Sequence, residues 1–262
     1  MSPPSSIPSV GPLCPSAFGS VDLSRGANET TGNATPTVAG LVKLSTTDWP
    51  GKLAAVVFIQ GCPLRCTYCH NEAILDPRGQ GVMEWSDVLS FLAKRKGLLD
   101  GVVFSGGEPL LSNGLPDAIR QVKEFGWFEV GLHTSGIWPR KLQALLDENL
   151  LDWVGLDIKH LEEKYAAVTG VKSSGKSAWR SLEAVVASGI PHEVRTTVDP
   201  TIHTERDIHR LIDELEDFRS HNGNKVNQHI LQEVRPIPAA FPNWRLAHYT
   251  AEKHPNQILR AA

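Results

Sequence analysis

Three of the four cysteines in this 262-residue chain, Cys62, Cys66 and Cys69, lie within eight residues of one another. They sit in the segment Gln60-Gly61-Cys62-Pro63-Leu64-Arg65-Cys66-Thr67-Tyr68-Cys69-His70-Asn71. Clustered thiols in a reducing compartment are metal ligands rather than disulfide partners. The spacing C-x3-C-x2-C puts three soft donors on one short loop, one fewer than a closed structural zinc site takes. One occupant is zinc, completed by His70 or a distant histidine. The other is a cubane iron–sulfur cluster with one open iron. His70 abuts Cys69, which makes shared ligation of one zinc awkward, and no second cysteine pair closes a ribbon or finger. The cubane fits the donor count better, and its open iron is free for a substrate or cofactor. Cys14, alone in a Ser/Pro/Gly-rich stretch, is read as a non-ligand.

A second group of residues could bind what such a cluster acts on. Phe104-Ser105-Gly106-Gly107-Glu108-Pro109 ends a strand-like run; its two glycines permit close backbone approach and the proline stiffens the exit. Leu132-His133-Thr134-Ser135-Gly136 ends another. Asp157, Lys159 and Arg195 stand among apolar strand residues, where an unpaired charge is costly. Two readings stay open for these three: an internal salt bridge, or contacts to a cofactor's carboxylate and ribose or to a cation.

These residues need a scaffold that brings strand ends together. Val/Ile/Phe-rich runs predict strands over Leu53–Gln60, Gly101–Ser105, Phe128–Thr134, Trp153–Lys159, Glu193–Val198 and Gln228–Glu233. Apolar stripes at helical spacing predict helices over Glu84–Lys96, Pro116–Phe125, Pro139–Glu148, Ser177–Ala187 and Glu205–Arg219. Pro116 and Pro139 suit first-turn positions, and Gly97, Gly126 and Gly189 suit helix ends. This alternation implies an α/β domain of parallel strands with helical crossovers. Periodicity leaves open a doubly wound sheet or a partial barrel; either way the chemistry belongs at the C-terminal strand ends. Residues 1–36 carry few large apolar side chains and are expected to be a disordered extension. Residues 37–236 form the domain, and 237–262 a Pro-rich tail with no assigned structure.

The cysteine spacing, with Tyr68 before the last cysteine and Gly106-Gly107-Glu108-Pro109 downstream, resembles the radical S-adenosylmethionine superfamily. The resemblance implies a partial (β/α)6 barrel in which Cys62, Cys66 and Cys69 hold a 4Fe-4S cluster. It implies that S-adenosyl-L-methionine (SAM) binds the open iron and is cleaved reductively to an adenosyl radical. It also implies cofactor-binding roles for Tyr68, Gly106, Gly107, Glu108, Thr134, Asp157, Lys159 and Arg195. No side chain need act as a catalytic acid or base. Ser45-Thr46-Thr47-Asp48-Trp49-Pro50-Gly51, Cys69-His70-Asn71, Leu98–Pro109, Asp157-Ile158-Lys159, Arg195-Thr196-Thr197, Leu231-Gln232 and Arg235-Pro236 narrow it. Over residues 40–236 the chain is similar to activases of glycyl radical enzymes, most of all those serving anaerobic ribonucleoside-triphosphate reductases. The partner implied is such a reductase, with flavodoxin or ferredoxin as electron donor. The alternatives are a pyruvate formate-lyase activase and radical chemistry on a small molecule. Relatives carry an aspartate where His133 stands, so their cation site is not carried over.

Composition sets outer bounds. Of the residues, 41% are hydrophobic and 21% charged, with a formal net charge of -3. That balance suits a globular domain and disfavours a nucleic-acid binder, which leans on clustered Lys and Arg. No window reaches the ~18 apolar residues of a membrane span, and no secretory signal pattern opens the chain. The expectation is a cytoplasmic protein with neither nucleic-acid nor membrane partners.

Overall fold

The computed structural model describes residues 35–236, 239–240, 244–246 and 258–260. The stretch 1–34, Cys14 included, and most of the tail lie outside the described residues, and with them the extension and tail expected there. Eight strands form one sheet in the order of the chain: β1 (Val38–Ser45), β2 (Ala54–Ile59), β3 (Gly101–Gly106), β4 (Glu129–Thr134), β5 (Trp153–Asp157), β6 (His192–Val198), β7 (His229–Glu233) and β8 (Ile258–Arg260). β1 pairs antiparallel with β2, and every later pair is parallel. The six expected strands are β2 to β7. Two more flank them: β1, whose exposed Val42 and Leu44 blur the alternation, and three-residue β8, too short for a periodic signal.

The helices are α1 (Trp85–Leu92), α2 (Leu115–Glu124), α3 (Pro139–Asp147), α4 (Tyr165–Thr169), α5 (Ser174–Ser188) and α6 (Glu205–Asp217). A capping box closes the start of α6: the Thr204 hydroxyl accepts from the Asp207 N–H while the Asp207 carboxylate accepts from the Thr204 N–H. α1 stops at Leu92, four residues before its expected end, as the chain turns through Lys94–Gly97. The five-residue α4 has no periodicity of its own and is absent from the sequence expectation.

Strand order resolves the open question of architecture. Crossovers in parallel sheets are right-handed, so a strand order that never reverses places every helix on one face. A doubly wound sheet needs a reversal; this sheet has none. The helix-facing side forms the main core, in which Val57, Ile59, Phe104, Val130, Leu132, Val154, Leu156 and Val194 meet Leu92, Ile119, Leu142, Leu182 and Leu211. Among the described residues no helices cover the opposite face, which is the interior of a partial barrel, and β1 and β8 are its edges.

The floor of that interior is aromatic. Trp49, from the loop between β1 and β2, is 4% exposed and stacks on Trp153 at 5.6 Å between ring centroids. Gly101 and Gly131 make room for it: a Cβ at either would lie 2.9–3.0 Å from the indole ring. Removing the indole leaves a void beneath β3 and β4. Trp49→Ala is expected to cost about 3–5 kcal/mol of folding stability, read by chemical denaturation; a loss below ~1 kcal/mol would mean that the floor is not packed.

Candidate active site

The cysteine loop follows β2 at the C-terminal end of the sheet and is seated through its backbone. Gly61 N–H donates to the Ile74 carbonyl at 2.8 Å, and Cys62 N–H to that of Leu75 at 3.0 Å. Arg65 N–H and Thr67 N–H donate to the Thr169 and Val168 carbonyls at 3.0 and 3.2 Å, which uses the C-terminal turn of α4. The Gly61 carbonyl accepts from Glu108 N–H at 2.9 Å. Arg65 braces the loop internally, its guanidinium donating to the Cys62 and Leu64 carbonyls at 2.9 and 2.8 Å.

The glycine pair at the end of β3 is part of this seat. Gly106 has φ +124, and a Cβ there would lie 2.3 Å from the Ile59 nitrogen. At Gly107 a Cβ would lie 2.3 Å from the Gly61 carbonyl oxygen and 3.0 Å from Cys62 Cβ. The two strand ends therefore touch only because neither residue carries a side chain. Asn71 Nδ2 donates to the Gly106 carbonyl at 3.3 Å, tying the far end of the loop to the same strand.

Glu108 turns inward. It is fully buried, and its carboxylate accepts from Leu110 N–H at 3.1 Å, the Thr134 hydroxyl at 2.7 Å, Ser135 N–H at 2.8 Å and the Ser135 hydroxyl. Burial pushes its pKa up against these donors. The Glu108 and Thr134 side chains thus join the ends of β3 and β4 to each other. What this corner offers a ligand is mainly backbone.

Charged groups line the barrel interior. Asp157 faces Lys159 Nζ and Arg195 Nε, each at 3.1 Å. Burial raises the Asp157 carboxyl, but the two cations outweigh it and hold the group at about 2. Burial alone would lower Lys159; the Asp157 charge keeps it well above its ordinary value. The internal salt bridge is therefore present, with two cations on one carboxylate. The wall keeps a net positive charge, and the Lys159 ammonium retains N–H donors beyond the one aimed at Asp157. His133 Nε2 donates to the Asp48 carbonyl at 2.7 Å, and the Arg195 guanidinium lies 3.3 Å from the same nitrogen. Burial, then the Arg195 charge, depress His133 to about 3, so it is neutral. At the end of β4 the chain thus places a neutral ring beside a guanidinium.

Two residues missed in the sequence hold Lys159 in place. The Tyr165 hydroxyl, on α4, accepts from Lys159 N–H at 3.1 Å and donates to the Asp157 carbonyl at 3.0 Å. His203 Nε2 donates to the Lys159 carbonyl at 2.9 Å while its Nδ1 accepts from Asp199 N–H at 3.1 Å. Both lie outside the strands, at positions without a motif, and only the fold brings them to β5.

The residues present fit an iron–sulfur cluster and a cofactor beside it. Cys62 is buried, Cys66 and Cys69 are partly so, and all three are free thiols. Burial pushes the Cys62 thiol up to about 12 and raises Cys66, so metal binding must supply the charge that makes them thiolates. Among the described residues no three Cys, His, Asp or Glu side chains converge on one ion; a cubane, whose cysteines bind separate irons, does not ask them to. His70, the adjacent candidate for a zinc ligand, instead turns its Nε2 to the Arg235 carbonyl. The Tyr68 hydroxyl is buried without a hydrogen-bond partner among the described residues, and its ring faces the Lys159 ammonium at 5.9 Å.

Comparison with known proteins agrees. The Radical SAM superfamily model matches residues 56–215. A Methanocaldococcus jannaschii protein with the provisional name glycyl-radical enzyme activating enzyme is 32% identical over 187 residues, 69% of this chain and 75% of that one. The pyruvate formate-lyase-activating enzyme of Clostridium pasteurianum is 31% identical over 190 residues, 70% of this chain and 77% of that one. Among solved structures, Streptococcus suis SuiB bound to S-adenosylmethionine aligns with a TM-score of 0.57 at 14% identity. That alignment covers 78% of this chain but 48% of SuiB, so the chain spans about half the length of that structure. QueE from Escherichia coli aligns with a TM-score of 0.50 at 17% identity, over 87% of this chain and 93% of that one. The chain belongs to the radical SAM superfamily, whose members use a 4Fe-4S cluster and SAM. No helix among the described residues is long and apolar enough to cross a membrane.

Two outcomes follow from the geometry. Tyr165→Phe leaves the buried Lys159 N–H without its acceptor and is expected to cost about 1–3 kcal/mol, measured by denaturant unfolding; an unchanged midpoint would contradict the contact. Burial holds His160 at about 4 and His133 at about 3, below the ordinary 6.5 of imidazole. Between those values the unfolded chain binds more protons than the folded one. Stability must therefore fall as pH drops below 6.5, by up to ~1.4 kcal/mol per pH unit for each histidine. Urea midpoints at about pH 7.5 and about pH 5 check the sign.

Proposed function

We propose that this radical SAM enzyme is an activase that installs a glycyl radical on a partner protein, and that the partner is an anaerobic ribonucleoside-triphosphate reductase. The observation that carries the reading is the seat of the cysteine loop, which includes its Cys-His-Asn end. Asn71 reaches the Gly106 carbonyl and His70 the Arg235 carbonyl, so the loop ties the end of β3 to the segment after β7, across the mouth of the barrel. Two relatives that match about 70% of this chain are named as activases of glycyl radical enzymes or of pyruvate formate-lyase. The second name makes pyruvate formate-lyase the runner-up partner.

In this reading Cys62, Cys66 and Cys69 hold the cluster. When bound, the cluster and SAM supply a low-potential electron and, from the cleaved sulfonium, a carbon radical that takes one hydrogen atom from the substrate. The protein's own groups bind and orient. The backbone at Gly106 and Gly107 and the spare N–H donors of Lys159 are placed for the amino and carboxylate ends of the methionine moiety. The net positive wall of Asp157, Lys159 and Arg195 favours that carboxylate. Tyr68 closes one side. Glu108 and Thr134 act behind the site by fixing the strand ends. Reduced flavodoxin or ferredoxin is the electron donor in this reading.

The test is electron paramagnetic resonance of the anaerobically reconstituted, reduced protein, with and without SAM, followed by mixing with the reductase or with pyruvate formate-lyase. A cluster signal that changes with SAM and a persistent doublet on the reductase are expected; no doublet on either partner would falsify the activase reading. Cys66→Ala is expected to lose iron and radical yield together, and Cys14→Ala neither. Iron lost from the Cys14 variant would show that the ligand set is incomplete.

A further inference from the structure

The turn that follows the glycine pair is clamped from the helix layer. Pro109–Leu111 forms a single 3-10 turn, closed by Leu111 N–H on the Glu108 carbonyl at 2.9 Å and Ser112 N–H on the Pro109 carbonyl at 3.0 Å. Such a turn leaves its last carbonyls without an internal donor, here those of Leu110 and Leu111. Lys141, in the first turn of α3, supplies one. Its Nζ donates to the Leu110 carbonyl at 2.9 Å, the Leu111 carbonyl at 3.4 Å and Asn113 Oδ1 at 3.0 Å. At the start of the turn the Glu108 carboxylate accepts from Leu110 N–H at 3.1 Å. A cation and an anion from different elements thus hold the same short turn by its two ends.

Local preference argues against a lysine at this position. A cation in the first turn of a helix opposes the macrodipole, and Arg140 already stands beside it. The Lys141 side chain is also half-buried, and burial lowers its pKa against the opposing pull of the Glu108 charge. The three acceptors, with the Trp138 ring 5.6 Å from Nζ, offset those costs. The lysine is therefore accounted for by the turn it binds and not by the helix that carries it.

That turn touches both parts of the site. A Cβ on Gly61 would lie 2.8 Å from Leu111 Cδ2, so the Leu111 side chain rests against the residue before Cys62. Gly107 N–H donates to the Ile59 carbonyl at 3.0 Å and Glu108 N–H to the Gly61 carbonyl at 2.9 Å. With those two donors engaged, carbonyl oxygens are what the corner has left for a ligand, and they accept from an amino group.

We infer that Lys141 is a positioning residue for SAM: by holding the Pro109–Leu111 turn, it keeps the Gly106–Gly107 backbone in the shape that receives the amino end of the methionine moiety. This rests on the reading that gives that backbone to SAM. Lys141 acts through the turn, so it governs affinity for SAM and leaves the cysteine ligands as they are.

The experiment compares wild type with Lys141→Met, which keeps a long side chain but removes the donors, and Lys141→Arg, which restores charge and donors. Three quantities are read: iron per chain after anaerobic reconstitution, SAM affinity by equilibrium dialysis of the cluster-loaded protein, and amide hydrogen exchange in the cluster-free protein. Lys141→Met is expected to keep its iron and to bind SAM about tenfold more weakly. Its exchange should quicken at Leu111 and Ser112 and stay at the wild-type rate in the core strands. SAM cleavage by this variant should show a raised KM with kcat near wild type, and Lys141→Arg should recover affinity. Wild-type SAM affinity in Lys141→Met overturns the inference. So does weaker binding accompanied by iron loss or by faster exchange throughout the sheet, which would make Lys141 a general packing residue. Wild-type protein that carries its cluster yet binds no SAM removes the reading of the corner itself, a result seen without any variant.

Discussion

A loop that already has its shape presents three thiols to a cluster without first paying to order itself, and here the backbone sets that shape. The N–H groups of Gly61, Cys62, Arg65 and Thr67 each find a carbonyl from a neighbouring segment, and the Gly61 carbonyl finds the Glu108 N–H. Side chains are thereby left free. Cys62 faces the buried Leu64 and Ile137, while Cys66 and Cys69 stay partly exposed. The seat also explains the bare glycines at the end of β3. A methyl group at Gly107 would strike the Gly61 carbonyl, and the loop would lift from the strand beneath it. The glycine pair thus has a packing reason that operates whether or not a ligand is bound.

The same economy governs the charged wall. Burying two cations and one carboxylate is costly unless each is paired and further satisfied by hydrogen bonds. Asp157 bridges both cations, the Tyr165 hydroxyl and His203 fix the Lys159 backbone, and Arg195 also donates to the Gly155 carbonyl at 3.3 Å. The arrangement leaves one positive charge in excess, on a surface of low dielectric where it acts strongly on an anionic group. Below it the Trp49–Trp153 stack seals the bottom of the barrel. Polar chemistry is therefore confined to the upper layers, at the strand ends where the cysteine loop lies.

The sheet divides its chemistry by strand. β2 to β5 carry the cysteines, the glycine pair and the carboxylate. β6 carries Glu193, paired with Arg260, and Arg195, paired with Asp157. The His70 contact with the Arg235 carbonyl spans this division, so the cysteine loop and the last helix-covered strand are mechanically linked.

The sequence by itself determined the candidate donors, the parallel α/β class and the residues worth watching. Cysteine spacing, glycine pairs and charges in apolar runs are local signals, and each is legible in a few consecutive residues. It also placed Asp157, Lys159 and Arg195 together as a salt bridge or a ligand site, without choosing. Only the tertiary structure decided that they pair with one another, that Glu108 and Thr134 spend their side chains on each other, and that the sheet never reverses direction. The added strands β1 and β8 and the short helix α4 escaped for a common reason: an edge strand is half-solvated, and elements of three or five residues are too short to show a period. Tyr165 and His203 were invisible for a different one. His203 meets the Lys159 carbonyl from 44 residues away, which only the packing of the whole sheet decides. Tyr165 reaches Lys159 N–H from six residues away only because α4 turns back over the end of β5, which no local pattern announces.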